Sequence, residues 1–102
     1  MNDLGWPFAD PQNVAVFTVA DIMSGRTPIL RVCHEEQDGA WQFLTGAVLP
    51  DAEKWMLIGL SEVVAIDSSI KEIADLPYGW EAVRCSPAEK WTTRPQNKSE
   101  EE

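Results

Sequence analysis

Residues 29–44 read ILRVCHEEQDGAWQFL, and this stretch decides the fold that the sequence predicts. In both halves apolar and polar side chains alternate with the period of a half-buried strand, and the polar residues 35–38 separate the halves. Gly39 supplies a residue type that tight turns favour. A four-residue loop at 35–38 places Val32 opposite Trp41 and keeps the apolar side chains on one face. We therefore predict an antiparallel hairpin in this register.

Segments on either side of the hairpin carry similar patterns. Residues 14–19 are β-branched and aromatic with apolar residues on both faces, which predicts a strand covered on two sides. Further strands are predicted at residues 55–60 and 79–85, and helical segments at 20–24, 61–66 and 67–76. The sequence thus predicts an α+β fold, in which an antiparallel sheet of four or five strands carries one or two short helices on one face.

The chain has 102 residues, the length of one domain, and its composition changes towards both ends. Two prolines in residues 1–13 predict an irregular arm, which Trp6 and Phe8 would hold against the domain. We expect residues 1–91, arm included, to form a single globular domain. Residues 92–102 are mostly polar, and we predict that they form a disordered tail.

Five tryptophans are many for a chain of this size. A small domain needs most of its large apolar side chains to build its own core. We therefore assign Trp41 and Trp55 to the core. Trp80 and Trp91 are candidates for surface anchors, although burial is favoured for both.

The formal net charge of −9 restricts the classes of partner. Residues 1–53 contain eight acidic and two basic residues, a net charge of −6. Such a field repels phosphate backbones and anionic lipid surfaces, so we expect neither nucleic acid nor membrane as a partner, whereas a basic protein would be attracted. The chain starts without a signal-peptide pattern and has no apolar run near the ~20 residues of a membrane helix, which predicts a cytoplasmic protein.

The two cysteines and the one histidine are the residues best suited to metal binding or nucleophilic catalysis. Cys33 and His34 are neighbours on a predicted strand, so their side chains point to opposite faces and cannot share an ion or a proton. Pairing of His34 with Cys85 stays open at this level. We predict no metal site, no cofactor and no catalytic residues, and we expect both thiols to be reduced and buried.

Several segments together resemble a family of small, mostly bacterial domains of unknown function, some of whose members are immunity proteins of polymorphic toxin systems. The resemblance spans about residues 14–84. The segments that carry it are Val16-Phe17-Thr18, Gly25 with Pro28, Arg31 with Glu35-Glu36, the run DGAWQFLTG at residues 38–46, residues 60–67, and Pro77-x-Gly79 leading to Arg84. The resemblance implies a toxin as the partner, and it implies no catalytic residues.

These observations favour a non-enzymatic domain that binds another protein. Glu35, Glu36 and Asp38 lie together at the predicted hairpin tip, where solvated carboxylates are poor general acids but suit a basic partner. We therefore predict that these three residues bind the partner.

Two alternatives remain open. The first is a small-molecule-binding or enzymatic domain with a pocket between sheet and helix, containing Arg31, His34, Arg84 or Cys85. The second is a homodimer formed through an exposed sheet edge, and the sequence does not decide between a monomer and such a dimer.

Overall fold

A computed structural model describes residues 6–46 and 55–96 of the chain. Its strands are β1 (Ala15–Val19), β2 (Arg31–His34), β3 (Trp41–Leu44), β4 (Trp55–Gly59), β5 (Trp80–Val83) and β6 (Thr92–Pro95). Its helical segments are α1 (Ala20–Met23), α2 (Leu60–Ile66) and a 3₁₀ helix (Ser68–Ile73). No helix in the described residues is long and apolar enough to cross a membrane.

All six strands belong to one sheet in the order β4-β1-β3-β2-β5-β6. The α+β class is therefore confirmed, but the predicted sheet of four or five antiparallel strands is wrong in two details. The described residues form six strands, and β1 runs parallel to β3, whereas the other neighbouring strands are antiparallel. Alternation along the sequence predicts that a strand exists, but it carries no information on which strand lies beside it.

The hairpin of β2 and β3 forms in a different register from the predicted one. Val32 pairs with Phe43 rather than with Trp41, and His34 pairs with Trp41. The backbone carbonyl of Glu35 accepts a hydrogen bond from the Gly39 amide at 3.0 Å, and Gly39 takes a φ of +71° as the last residue of the turn. The loop therefore lies one residue later than predicted, and the pairing moves by two residues. A shift by two leaves every side chain on its predicted face.

Strand β6 contradicts the predicted disorder of residues 92–95. It pairs with β5 along its whole length, and the Gln96 amide donates to the Gly79 carbonyl at 2.7 Å. All four of its residues are exposed, so the strand is held by backbone hydrogen bonds and by Arg94 rather than by apolar burial. Composition alone does not reveal such a strand. Residues 97–102, the rest of the predicted tail, lie outside the described residues.

The amino-terminal arm is irregular where the structure describes it. Residues 6–13 form neither helix nor strand, as predicted. Phe8 is only 5% exposed and packs edge-on against Trp41, with ring centroids 5.3 Å apart. The Trp6 indole donates to the Asp10 carbonyl at 2.8 Å. Phe8 therefore anchors the arm to the domain, and the partly buried Trp6 packs against the same core, while its hydrogen bond to Asp10 stays within the arm.

The core lies between one face of the sheet and the helical segments, and we call this the core face. It is built from buried apolar side chains of both layers: Val16, Val32, Trp41, Phe43 and Ala82 from the strands, and Ile22, Leu60, Val63, Ile70 and Ile73 from the helical segments. Two Asp67 contacts, with the backbone and with the hydroxyl of Ser69, start the 3₁₀ helix in the position that these side chains require.

The opposite face, which we call the second face, carries Phe17, Cys33 and Glu81. Phe17 is 36% exposed, so the prediction that β1 is covered on both sides is wrong. Trp55 also lies on this face, with its ring edge-on to Phe17 at 6.1 Å, and its predicted place in the core is wrong. Trp41 is buried as predicted, and the structure packs Trp80 and Trp91, both partly buried, against the core.

Candidate binding site

A cavity of about 540 Å³ opens on the second face where β2, β5 and β6 lie side by side. The polar residues that line it are Arg31, Glu35, Glu81, Arg84, Arg94 and Gln96. The cavity exists because β6 extends the sheet and brings its side chains beside those of β5. Polar groups from three separate parts of the sequence therefore converge at one place.

Glu81 stands at the centre of these groups. The strand register puts it beside Cys33 of β2 on one side and Arg94 of β6 on the other. Arg31 donates to Oε1 from Nε at 3.0 Å and contacts it through Nη2 at 2.9 Å, while Arg94 donates from Nε to Oε2 at 2.7 Å. Only 6% of the Glu81 side chain is exposed. We call these three residues the Glu81 cluster: one buried carboxylate that fixes two arginines.

Charge decides the protonation state of Glu81. Burial by itself raises the pKa of its carboxyl, but the hydrogen bonds and positive charges of Arg94 and Arg31 outweigh burial. The pKa of Glu81 is therefore lower than its ordinary value, and the carboxylate is ionised at neutral pH. The cluster is then a charge-assisted network whose arginine positions are set by the sheet.

The two cysteines lie in different environments. Cys33 is buried, with Sγ 4.0 Å from Oε1 of Glu81, and burial raises the pKa of its thiol. Cys85 is exposed, so the prediction that both thiols are buried is wrong for this residue. Cys85 lies after the end of β5, where the alternation of a strand no longer determines which side chains are buried. Both thiols are free.

His34 lies on the core face, opposite to Cys33 as the sequence predicts. Its ring stacks on Trp41 at 3.8 Å and meets the edge of Tyr78 at 4.6 Å. Nδ1 lies 2.7 Å from the Leu76 carbonyl, and because a carbonyl oxygen only accepts, Nδ1 carries a proton. Nε2 is buried without a hydrogen-bond partner. The imidazole is thus occupied in packing and lies away from the cavity.

Arg84 lines the cavity, but its guanidinium group is bonded to other parts of the fold. It donates to the Ile29 carbonyl from Nε at 3.0 Å and from Nη2 at 2.8 Å, and Nη2 lies 2.8 Å from Oδ2 of Asp67. The guanidinium carbon also lies 4.1 Å from the ring centroid of Trp91. Arg84 therefore ties the end of β5 to the 3₁₀ helix, which leaves Arg31 and Arg94 as the arginines that serve the cavity.

The three acidic residues predicted to bind a partner lie in or beside the turn between β2 and β3, but their side chains have different surroundings. Oε2 of Glu35 accepts a hydrogen bond from the Gln96 side-chain amide at 3.3 Å and lines the cavity. Glu36 is exposed, and its carboxylate lies over Gly79. Oδ1 of Asp38 accepts from the Ala40 amide at 3.1 Å, which stiffens the turn. Their role in binding stays a prediction.

The structure also bears on the pocket that the sequence places between sheet and helix. A cavity of about 330 Å³ lies beside Ile22, Ile29 and Ile66, and its carboxylate, Asp67, is already bonded to Arg84 and Ser69. Of the four residues considered for a pocket, Arg31 and Arg84 meet in the larger cavity on the second face, whereas His34 and Cys85 are not part of it. Across residues 6–46 and 55–96, no three His, Cys, Asp or Glu side chains are arranged to hold a metal ion.

Sequence reasoning missed Glu81, Arg94 and Gln96 as members of a site. The strand predicted over residues 79–85 has a two-residue period, which puts Glu81 and Ala82 on opposite faces as in the structure, but this period does not identify a partner for Glu81. Arg94 and Gln96 belong to the segment predicted to be disordered. The β-branched pair Thr92-Thr93 is the one local signal that favours a strand there.

No protein-family model, curated protein or solved structure matches this chain.

Proposed function

We propose that this chain is a non-enzymatic domain that binds a basic partner protein through the hairpin tip, residues 35–38. The observation that carries the proposal is that three carboxylates lie within four residues on a turn fixed by its own hydrogen bonds. A preformed acidic turn loses little conformational freedom on binding, and its charge accelerates the encounter with a basic surface. The net charge of −9 also attracts a basic partner, over a longer distance than the turn itself.

The surroundings of the thiols and the imidazole support a non-enzymatic role. Cys33 is buried beside an anionic carboxylate, which opposes formation of a thiolate nucleophile. His34 lies on the opposite face with Nδ1 bonded to a carbonyl, so it does not serve as a base for that thiol. The resemblance noted in the sequence suggests that the basic partner is a toxin.

Site-specific cross-linking tests which surface meets the partner. A photoreactive amino acid replaces Gln37, the exposed residue in the middle of the hairpin tip, in cells of the source organism. The matched control carries the same group at Glu72, which is exposed on the 3₁₀ helix. We expect one protein to be cross-linked from position 37 and not from position 72. Equal capture from both positions would contradict the proposal.

Charge reversal then tests the three carboxylates with the captured partner. The variant Glu35→Lys, Glu36→Lys, Asp38→Lys is compared with Glu72→Lys, Asp75→Lys, Glu89→Lys, which changes the net charge equally at exposed positions elsewhere. We expect the first variant to weaken binding by about tenfold or more, with a loss of salt dependence, and the control to bind nearly as the wild type does. Unchanged affinity of the hairpin-tip variant would reject the acidic tip as the binding surface.

A further inference from the structure

We propose that the cavity on the second face binds a ligand carboxylate that is flanked by an N–H group, as in an α-amino acid or the carboxyl terminus of a peptide. This site shares Glu35 with the acidic hairpin tip but differs from it in chemistry, since it also offers arginine donors. Its test is independent of the protein partner proposed above.

The donors come from the Glu81 cluster. A guanidinium group has five N–H bonds. Glu81 takes the Nε hydrogens of Arg31 and Arg94 and one hydrogen on Nη2 of Arg31. The side chains of Arg31 and Arg94 are 36% and 58% exposed, so their remaining donors are accessible from the cavity.

The cluster is also preorganised for an anion. Glu81 balances one of the two positive charges of Arg31 and Arg94, and Asp67 balances Arg84. One unit of positive charge therefore remains on the pair of arginines, and the carboxylate of Glu35 lies elsewhere in the lining of the same cavity. Because the sheet and Glu81 already hold both guanidinium groups, an incoming carboxylate meets donors that need little ordering.

The opposite side of the cavity offers acceptors, which distinguishes the proposed ligand from a simple anion. Glu35 lines the cavity, and its carboxylate holds the side-chain amide nitrogen of Gln96. The amide oxygen of Gln96 is buried and accepts no hydrogen bond from residues 6–46 or 55–96. A buried acceptor without a partner is unfavourable, so a ligand N–H that turns this side chain and satisfies its oxygen gains binding energy. Amino acids and peptide termini carry that N–H beside their carboxylate.

Nuclear magnetic resonance of the full ¹⁵N-labelled chain tests the proposal with small probes. N-acetylglycine provides the carboxylate and a neighbouring amide N–H, whereas N-acetylglycinamide lacks the carboxylate. We expect N-acetylglycine to shift the Nε resonances of Arg31 and Arg94 and the side-chain amide resonances of Gln96. These shifts should reach a plateau as the concentration of N-acetylglycine rises. Absence of these shifts, or equal shifts with N-acetylglycinamide, would overturn the proposal.

Variants of Arg94 separate binding from folding. Arg94→Lys keeps a positive charge beside Glu81 but removes the planar fork, and Arg94→Gln removes both. We expect each to weaken N-acetylglycine binding by about tenfold, while the matched control Arg26→Gln, at an exposed arginine outside the cavity, leaves it unchanged. Binding by Arg94→Lys that equals the wild type would overturn the proposal, because that variant retains the charge needed for the fold.

Glycine, with an ammonium group in place of the amide, distinguishes the two sources of the ligand. Tighter binding of glycine than of N-acetylglycine would indicate a free amino acid, whose ammonium pairs with Glu35. Tighter binding of N-acetylglycine would indicate a peptide terminus. Acetate, which has no N–H, is expected to bind more weakly than both, and equal binding of acetate would contradict the role given to Gln96.

Discussion

Glu81 is a buried carboxylate whose pairing with two arginines is not predicted by its position in the sequence. The glutamate follows Trp80 on an ordinary amphipathic strand, yet only 4% of the residue is exposed. Two arginines that lie 50 and 13 positions away in the sequence keep it charged. A buried carboxylate paired in this way stabilises the fold only while both partners and its negative charge persist.

The pH dependence of stability follows from the lowered pKa of Glu81. In the unfolded chain the pKa of a glutamate is about 4.3. The ionised Glu81 carboxylate therefore contributes stability above that pH, and this contribution is lost as the pH falls through the lower pKa that Glu81 has in the folded chain. We expect Glu81→Gln to reduce the free energy of unfolding at pH 7 by about 2 kcal/mol and to flatten its decline under acid. Urea unfolding at a series of pH values measures the free energy of unfolding at pH 7 and its decline under acid, and Glu72→Gln, at an exposed position, is the control. Parallel pH profiles for wild type and Glu81→Gln would contradict the assignment.

Thiol chemistry separates the two cysteines. Cys85 is exposed, whereas Cys33 is buried with a raised thiol pKa, so only Cys85 is expected to react with a thiol reagent in the native chain at neutral pH. Titration with a chromogenic disulfide should release one equivalent quickly and a second only after denaturation. Cys85→Ser should abolish the fast reaction, and a fast reaction that survives this substitution would show that Cys33 is accessible.

Strand β6 is the element that completes the candidate site. It adds no apolar side chain to the core, yet it brings Arg94 to Glu81 and Gln96 to Glu35. It also covers the edge of β5 by backbone pairing. The other outer strand, β4, is apolar along its length and pairs with β1. The two outer strands therefore differ in chemistry, and the polar one carries the site.

Truncation tests the contribution of β6. A chain that ends at Trp91 loses the strand, while a chain that ends at Gln96 keeps it and serves as the matched control. We expect the shorter chain to lose about 2 kcal/mol of unfolding free energy, because Glu81 gives up one of its two arginines and β5 loses its partner strand. Thermal unfolding measures the difference. Equal stability of the two chains would show that β6 is not formed in solution.

At the scale of the whole molecule, one core supports the entire sheet. All three helical segments pack on the core face, and the second face is left to carry polar groups near β6 and exposed aromatic groups near β4. Apolar burial and the candidate binding site therefore lie on opposite faces of the same strands. Buried apolar side chains on the core face should affect folding of the whole molecule strongly, whereas exposed side chains on the second face, unlike the buried Glu81, should affect it little.

Two phenylalanines on opposite faces test this division. Phe43 is fully buried, and Phe43→Ala is expected to lower the free energy of unfolding by about 3 to 5 kcal/mol. Phe17 is 36% exposed and contacts Trp55, so Phe17→Ala is expected to cost about 1 kcal/mol or less. Chemical denaturation followed by tryptophan fluorescence compares the two variants. Similar losses for both would mean that the second face also forms part of the core.

The sequence by itself determined five of the six described strands and the helical segments of this protein. Alternation in residues 29–44 and 79–85 predicted strands and the sides on which Val32, Phe43 and Glu81 lie, because the two-residue period of a strand is a local property. Only the tertiary structure decided the parallel pairing of β1 with β3, the two-residue shift of the hairpin, and the existence of β6. These features depend on interactions between distant residues, such as Arg94 with Glu81, whose free energy exists only once the sheet has brought them together.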